Sequence, residues 1–374
     1  MNAELSLLLP DVDDALKGLG PLFHQLDGKA VLVTGARGYL GRFVIAALVR
    51  ANDFLSTPCR IYALDSLLVQ PDDKREDWRS VPNLRFIKHD VRHEVGNGDG
   101  ALWGDKLDYV WHLAGIASPH WYAKMPLATI DVAVQGTRNM LELARKHDAR
   151  FLFTSSSEVY QTASVVPTPE SYVGAIPSLT ERSCYDVSKL MGETLCFALA
   201  TRPGGGHTLH CNIVRIFNSF GVTMGEHDRR ILTRIASALK RNDTKQPLTV
   251  YAQPGGRLPS RTYTPVANTL SGLLRVALSG EPLDALSQTK GVYNIGLDTP
   301  ELTVPELCSR IAQVTGSEVA YEFKPTPDNY TTEPLRRCPD IGKLRALGFE
   351  AVTDLDEGLR RFFRWTATAY TGEL

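Results

Sequence analysis

Six short apolar runs rich in β-branched residues, at 30–34, 60–64, 84–88, 109–113, 151–154 and 211–216, are separated by segments long enough for crossover helices. Consecutive strands joined by crossovers rather than tight turns run in the same direction, so this alternation predicts an α/β chain with a parallel, doubly wound sheet. After Gly221 the strand and helix signals shorten, including 248–251 and 292–295, and predict a smaller lobe interleaved with the sheet. We divide the chain into an N-terminal helical extension (1–28), a main sheet-forming unit (29–220) and a smaller, interleaved lobe (221–374). In the extension, Asp11, Asp13 and Asp14 lead into Leu16, Leu19, Leu22 and Phe23, the pattern of a short amphipathic helix.

The string VTGARGYLG follows the first run and opens an apolar helix. Gly35 permits the tight turn, Gly38 lets a pyrophosphate approach the backbone, and Gly41 lets helix and strand pack closely, with Tyr39 and Leu40 starting the helix. Asp65 ends the second run about 20 residues on, where a carboxylate accepts the ribose hydroxyls and favours NAD over NADP. Arg37, inside the glycine loop, leaves room for a 2′-phosphate. Asp90 and Val91 after the third run, and Leu113 and Ala114 at the end of the fourth, are placed to flank the same cofactor.

In SCYDVSKLMGE, Tyr185 and Lys189 stand four apart and share one helical face. A phenol with a pKa of about 10 is a poor base at neutral pH, and an ammonium beside it lowers that value. The fifth run ends in FTSSSEVY, where an open α/β sheet presents ligand-binding groups. Ser156 would bond the same reacting oxygen as Tyr185, while at least one of Ser155, Ser156 and Ser157 caps the turn that follows.

With 41 basic and 42 acidic residues, the charge gives no reason to expect a nucleic-acid groove or an anionic membrane surface. No stretch reaches the roughly 20 apolar residues that span a bilayer, and we expect a soluble, cytoplasmic protein. The six cysteines show no C-x-x-C pair or chelating neighbour, so reduced packing thiols and no metal are expected.

Taken together, the glycine loop, Asp65, SSSEVY, YDVSK and RIFNSFG (215–221) resemble the extended short-chain dehydrogenases/reductases that act on nucleotide sugars on a Rossmann-type sheet. Within that family SEVY, PESYVG (169–174), RSCYDVSKLMGETLC and RRCPDI (336–341) are most similar to the UDP-glucuronate decarboxylases. The resemblance implies catalytic roles for Tyr185 as base, Lys189 as its partner and cofactor ligand, Ser156, Glu158 and Arg337, and substrate contacts from Ser157, Asn218, Arg261 and Arg337. It also implies bound NAD, a UDP-linked sugar and a homodimer through the helices around 126–147 and 185–200. Oxidation of a hexuronic acid at C4 makes a ketone β to the C6 carboxylate, which then leaves as carbon dioxide. Ser157 stands where the related 4,6-dehydratases carry an aspartate, which argues against dehydration. A 4-epimerase needs the same tyrosine, lysine and hydroxyl and is the alternative; a non-catalytic dinucleotide sensor is the remaining one. Departures from the family pattern are Gln161 for glycine, Ala133 for asparagine, Pro265 for an aromatic, Asn268 for aspartate and a longer loop at 252–260.

Overall fold

The first strand explains why the apolar runs show no polar alternation. In β1 (Ala30–Thr34), Val31 and Val33 pack into one core and Ala30 and Leu32 into another, on opposite faces of the sheet. The structure is a computed structural model that describes residues 3–69, 78–95, 106–201, 208–241, 247–326 and 334–371. After β1 come β2 (Arg60–Asp65), β3 (Leu84–Lys88), β4 (Tyr109–His112), β5 (Arg150–Ser156) and β6 (Cys211–Ile216). The chain then forms β7 (Ser219–Phe220), β8 (Leu248–Ala252), β9 (Ser260–Thr262) and β10 (Thr264–Pro265), returns as β11 (Val292–Ile295), and ends with β12 (Glu301–Thr303), β13 (Tyr321–Pro325) and β14 (Arg336–Arg337).

The main sheet has the order β11-β6-β5-β4-β1-β2-β3, parallel throughout, as the alternation of runs and crossovers predicts. Its seventh strand is residues 292–295, which the late part of the chain contributes at the sheet edge. The connections reverse direction between β1 and β4, and a crevice opens at the carboxyl ends of those strands. Thr34 and His112 join β1 to β4 there through an Oγ1–Nδ1 contact of 2.7 Å. Burial pushes the His112 imidazole down to about 3, with Lys189 adding to the effect, so the ring is neutral.

Helix α1 (Ala3–Leu19) begins earlier than the Leu16–Phe23 stretch suggests, and residues Gly20–Leu26 form a 3-10 turn. The reason is a stripe of buried residues, Leu8, Val12, Ala15, Leu16 and Leu19, each leucine contributing about 1.5–3 kcal/mol by burial. Arg361 ties the helix down through Asp11 (2.9 Å) and Asp14 (2.8 Å). On that face α2 (Tyr39–Ala51) also covers the sheet. Between β4 and β5 run α3 (Pro119–Lys124), α4 (Pro126–Asp131) and α5 (Thr137–His147), the last two joined by a π-turn at Val132–Gly136. Helix α6 (Ser183–Thr201) crosses from β5 to β6 and packs with α5 over the second face. A third core lies among α7 (Ile231–Arg241), α9 (Val304–Thr315) and α11 (Leu355–Ala369), while α8 (Val266–Ser279) covers the main sheet and α10 (Gly342–Ala346) follows β14. Among the described residues no helix is long and apolar enough to cross a membrane.

Candidate active site

A cleft of about 1470 Å³ runs from the glycine loop to β14 and takes in every residue that the sequence singles out for cofactor or substrate. Gly35 has φ +66°, a left-handed conformation, and a Cβ there would stand 2.8 Å from the backbone of Ala114. At Gly41 a Cβ would meet the Gly35 carbonyl oxygen at 2.0 Å. A Cβ at Gly38 would find only that same oxygen, at 3.1 Å, so the protein interior does not itself forbid a side chain there. Gly38 caps α2 without a side-chain bond, and Tyr39, Leu40 and Gly41 bring the first-turn N–H groups to the cleft. These features suit an anionic pyrophosphate laid on the backbone.

Asp65 accepts from the Arg37 and Leu67 backbone N–H groups, both at 2.8 Å, which fixes its carboxylate at the end of β2. The Arg37 guanidinium lies 4.5 Å over the Trp78 ring and 5.7 Å from Phe86, held against an aromatic wall. Asp90 and Val91 line the cleft, as do Leu113 and Ala114. Burial raises the Asp90 pKa, but bonds from Arg92, the shortest 2.6 Å, outweigh it and leave the group below the usual range. The Asp90 carboxylate is therefore engaged by the protein.

Lys189 and Tyr185 share the face of α6 that looks onto the end of β5. Lys189 Nζ donates to the Thr154 carbonyl at 2.8 Å and lies 5.9 Å from the centre of the Tyr185 ring. Burial lowers its pKa to about 8. The expectation that this ammonium lowers the phenol needs correction for the protein alone: burial dominates and pushes Tyr185 up to about 12, against the lowering effect of the nearby Ser156 hydroxyl. Tyr122 stacks on the Tyr185 ring at 5.5 Å and 12°. Ser156 also caps the turn Ser157–Tyr160, accepting from Glu158 N at 3.2 Å. Ser155 turns away and donates to Glu193 at 2.5 Å, which Arg215 holds at 2.7 Å, so its role is structural. Ser157 is buried and lines the cleft.

From the lobe side, Arg337 of β14 lies beside Arg261 of β9 in register. The pair at 336 and 337 divides: Arg336 is exposed and bonds Glu301 at 2.6 Å, while Arg337 turns in to Glu158. The Arg337 fork meets Glu158 at 2.5 and 3.0 Å. Arg182 reaches the same carboxylate at 2.7 Å. Burial alone would raise Glu158, but Arg337, Arg182 and Arg261 hold it below the usual carboxylate range. Asn218 lines the cleft and donates to the Thr262 carbonyl at 3.3 Å. His120 and Trp121 line it as well.

Sequence reasoning missed Arg182, Asp186 and Arg230. Arg182 stands three residues before Tyr185, and that helical spacing is a signal that was available. Burial, with Glu158 adding, raises Asp186 to about 6, and Gln161 Nε2 donates to it at 2.6 Å. Arg230 bonds Asp228, lines the cleft and lowers the Tyr185 pKa, although nothing in its local sequence marks it.

The model of the NAD dependent epimerase/dehydratase family matches residues 31–296. A UDP-glucuronic acid decarboxylase of Arabidopsis thaliana is 33% identical over 347 residues, 92% of this chain and 70% of that one. A UDP-glucose 4-epimerase of Thermotoga maritima, solved with UDP-glucose, superposes with a TM-score of 0.73 at 21% identity, covering 91% of this chain and 99% of that one. MoeE5, solved with UDP-glucuronic acid and NAD, gives a TM-score of 0.70 at 24% identity, covering 91% and 100%.

Proposed function

The chain belongs to the NAD-dependent epimerase/dehydratase family, and from that premise we propose that it is an NAD-dependent lyase that decarboxylates a UDP-linked hexuronic acid, of the UDP-glucuronate to UDP-xylose type. The observation that carries the reading is the meeting of Tyr185, Ser156 and Lys189 with an arginine-held Glu158 in one cleft, beside the glycine loop. Gly35, Gly38, Gly41 and the α2 terminus would hold the pyrophosphate of NAD and Asp65 its ribose, with Asp90, Val91, Leu113 and Ala114 flanking it. When bound, NAD supplies an acceptor that takes the C4 hydride and returns it, so the cofactor is unchanged overall.

Tyr185 would take the proton of the C4 hydroxyl as a phenolate, formed once the positive charges of Lys189 and bound NAD offset the burial that holds the phenol near 12 in the protein alone, and Ser156 would bond the same oxygen. Lys189, anchored on the Thr154 carbonyl, keeps a positive charge 5.9 Å from the centre of the Tyr185 ring and would bond the ribose of bound NAD. Once C4 is a ketone the C5–C6 bond breaks, C6 leaves as carbon dioxide, the bonding electrons pass into the C4 carbonyl as an enolate, and C5 then takes a proton. Glu158, kept ionised by its arginines, orders a water near C5, and the Arg337 fork fixes Glu158 at the sugar's carboxylate end. Ser157, Asn218 and Arg261 contact the sugar and the nucleotide pyrophosphate.

Exposed Leu127 and Ile130 on α4 and Leu190 and Met191 on α6 form an apolar face that suits a homodimer. Six unpaired cysteines suit a reducing, cytoplasmic compartment.

Incubation with UDP-glucuronate tests the reading: released carbon dioxide and a product lighter by the carboxyl group support it. An isobaric product with altered stereochemistry would instead identify a 4-epimerase, which the same tyrosine, lysine and serine can serve.

A further inference from the structure

Glu158 is one carboxylate between two guanidiniums, with Arg261 adding a third positive charge nearby, so the cluster has a surplus of cations. The two arginines are not equivalent. Arg337 is 10% exposed and faces Glu158 with both terminal nitrogens. Arg182 is 38% exposed, touches the same carboxylate at 2.7 Å, and has Nε 3.7 Å from Asp186. Withdrawing Arg337 would leave a buried anion without its main partner, whereas Arg182 can turn away while the fork still neutralises Glu158.

Resting on the uronate reading above, we infer that Arg182 is the specificity-determining cation, moving from Glu158 to the C6 carboxylate of the substrate while Arg337 stays on Glu158. Its place in the fold connects recognition to chemistry. The Arg182 carbonyl accepts from the backbone N–H of Tyr185 at 2.9 Å and of Asp186 at 3.0 Å, so it starts the helix that carries the proposed base. The group reading C6 and the phenol acting at C4 therefore sit one helical turn apart on one element. A neutral hexose offers nothing to draw Arg182 off Glu158, and the ion cluster stays closed against it.

The test is calorimetric titration of the full chain carrying Tyr185→Phe, which prevents turnover, with UDP-glucuronate and with UDP-glucose, ligands that differ only at C6. With Arg182 present, UDP-glucuronate binds more tightly. Arg182→Gln weakens UDP-glucuronate about tenfold or more while changing UDP-glucose less than about twofold. Arg182→Lys, which keeps the charge, recovers part of the preference and serves should the glutamine variant not fold. A preference that survives Arg182→Gln intact, or an equal loss for both ligands in either variant, overturns the inference. Carbon dioxide release by the protein with native Tyr185 is followed separately. No release alongside an Arg182-dependent preference removes the decarboxylase reading and leaves this one standing.

Discussion

The Glu158 carboxylate and the Arg337 guanidinium meet along two contacts, 2.5 and 3.0 Å, and join the turn after β5 to β14 across 179 residues of sequence. The Arg337 and Glu158 side chains are only 10% and 14% exposed, so neither charge keeps much water to fall back on. Arg337→Met is expected to destabilise the fold by about 3–5 kcal/mol, the range for removing one partner of a buried pair. Glu158→Gln with Arg337→Met should lose less than the sum of the single changes. Urea unfolding of the four proteins measures the coupling, and strict additivity would mean that the pair does not form.

Ser156 is the neighbour that lowers the Tyr185 pKa most, ahead of Arg230, against a burial effect that takes it to about 12. Removing the hydroxyl therefore raises the phenol further and leaves less phenolate at any given pH. Ser156→Ala should reduce turnover by about 10²–10⁴-fold. The limb of the kcat/KM profile that reports the base should also move to higher pH. A uniform fall with an unmoved limb would assign Ser156 to binding rather than to the proton.

Asp186 links stability to pH with a definite sign. Its folded-state pKa, raised by burial to about 6 from the ordinary 3.8, means that the folded protein favours the protonated acid. Its contribution is complete below the unfolded value and disappears as pH rises through the folded one. Relative to Asp186→Asn, the native protein should lose up to about 3 kcal/mol between about pH 4 and pH 6 and then level off. Denaturation of both proteins across that window checks it, and a constant difference rules the linkage out.

The two glycines of the loop separate folding from binding. At Gly41 a methyl group would sit 2.0 Å from the Gly35 carbonyl oxygen, so Gly41→Ala should lower the melting temperature markedly. At Gly38 the only close atom is at 3.1 Å, so Gly38→Ala should melt nearly as the native protein does. Its added Cβ would separate the backbone from the pyrophosphate and weaken NAD by about tenfold or more. Thermal melts and NAD titration of each variant make the comparison. NAD affinity unchanged in Gly38→Ala would mean that the phosphates lie elsewhere.

Most of the architecture was legible because its causes are local. Strands buried on both faces read as unbroken apolar runs, the left-handed turn at Gly35 demands glycine, and Tyr185 and Lys189 reveal themselves by helical spacing. What the chain hides is long-range pairing. Arg337 could be read as a substrate ligand, but its commitment to Glu158 exists only after the lobe docks on the sheet. Likewise Ser155 looks like its two neighbours until Glu193 is brought beneath it by α6. The charge beside Tyr185 was readable and its burial was not, which is why the sign of its pKa shift came out reversed.

Gln161 shows how a departure from the family's glycine can be stabilised. It holds φ 47° and ψ −128°, a conformation that costs a side-chain-bearing residue about 1–3 kcal/mol. Against that strain its amide donates to Asp186 at 2.6 Å and to the Glu158 carbonyl at 3.2 Å, the first a buried bond to a carboxyl group worth about 1.5–3 kcal/mol when that group is charged. Gln161→Gly removes the strain and the bonds together, so its stability should stay within about 1 kcal/mol of native. Gln161→Ala keeps the strain and loses the bonds, and should be the less stable of the two by at least about 1 kcal/mol. If chemical denaturation ranks alanine equal to or above glycine, backbone strain is not what the Gln161 amide offsets, and the side chain must act through Asp186 alone.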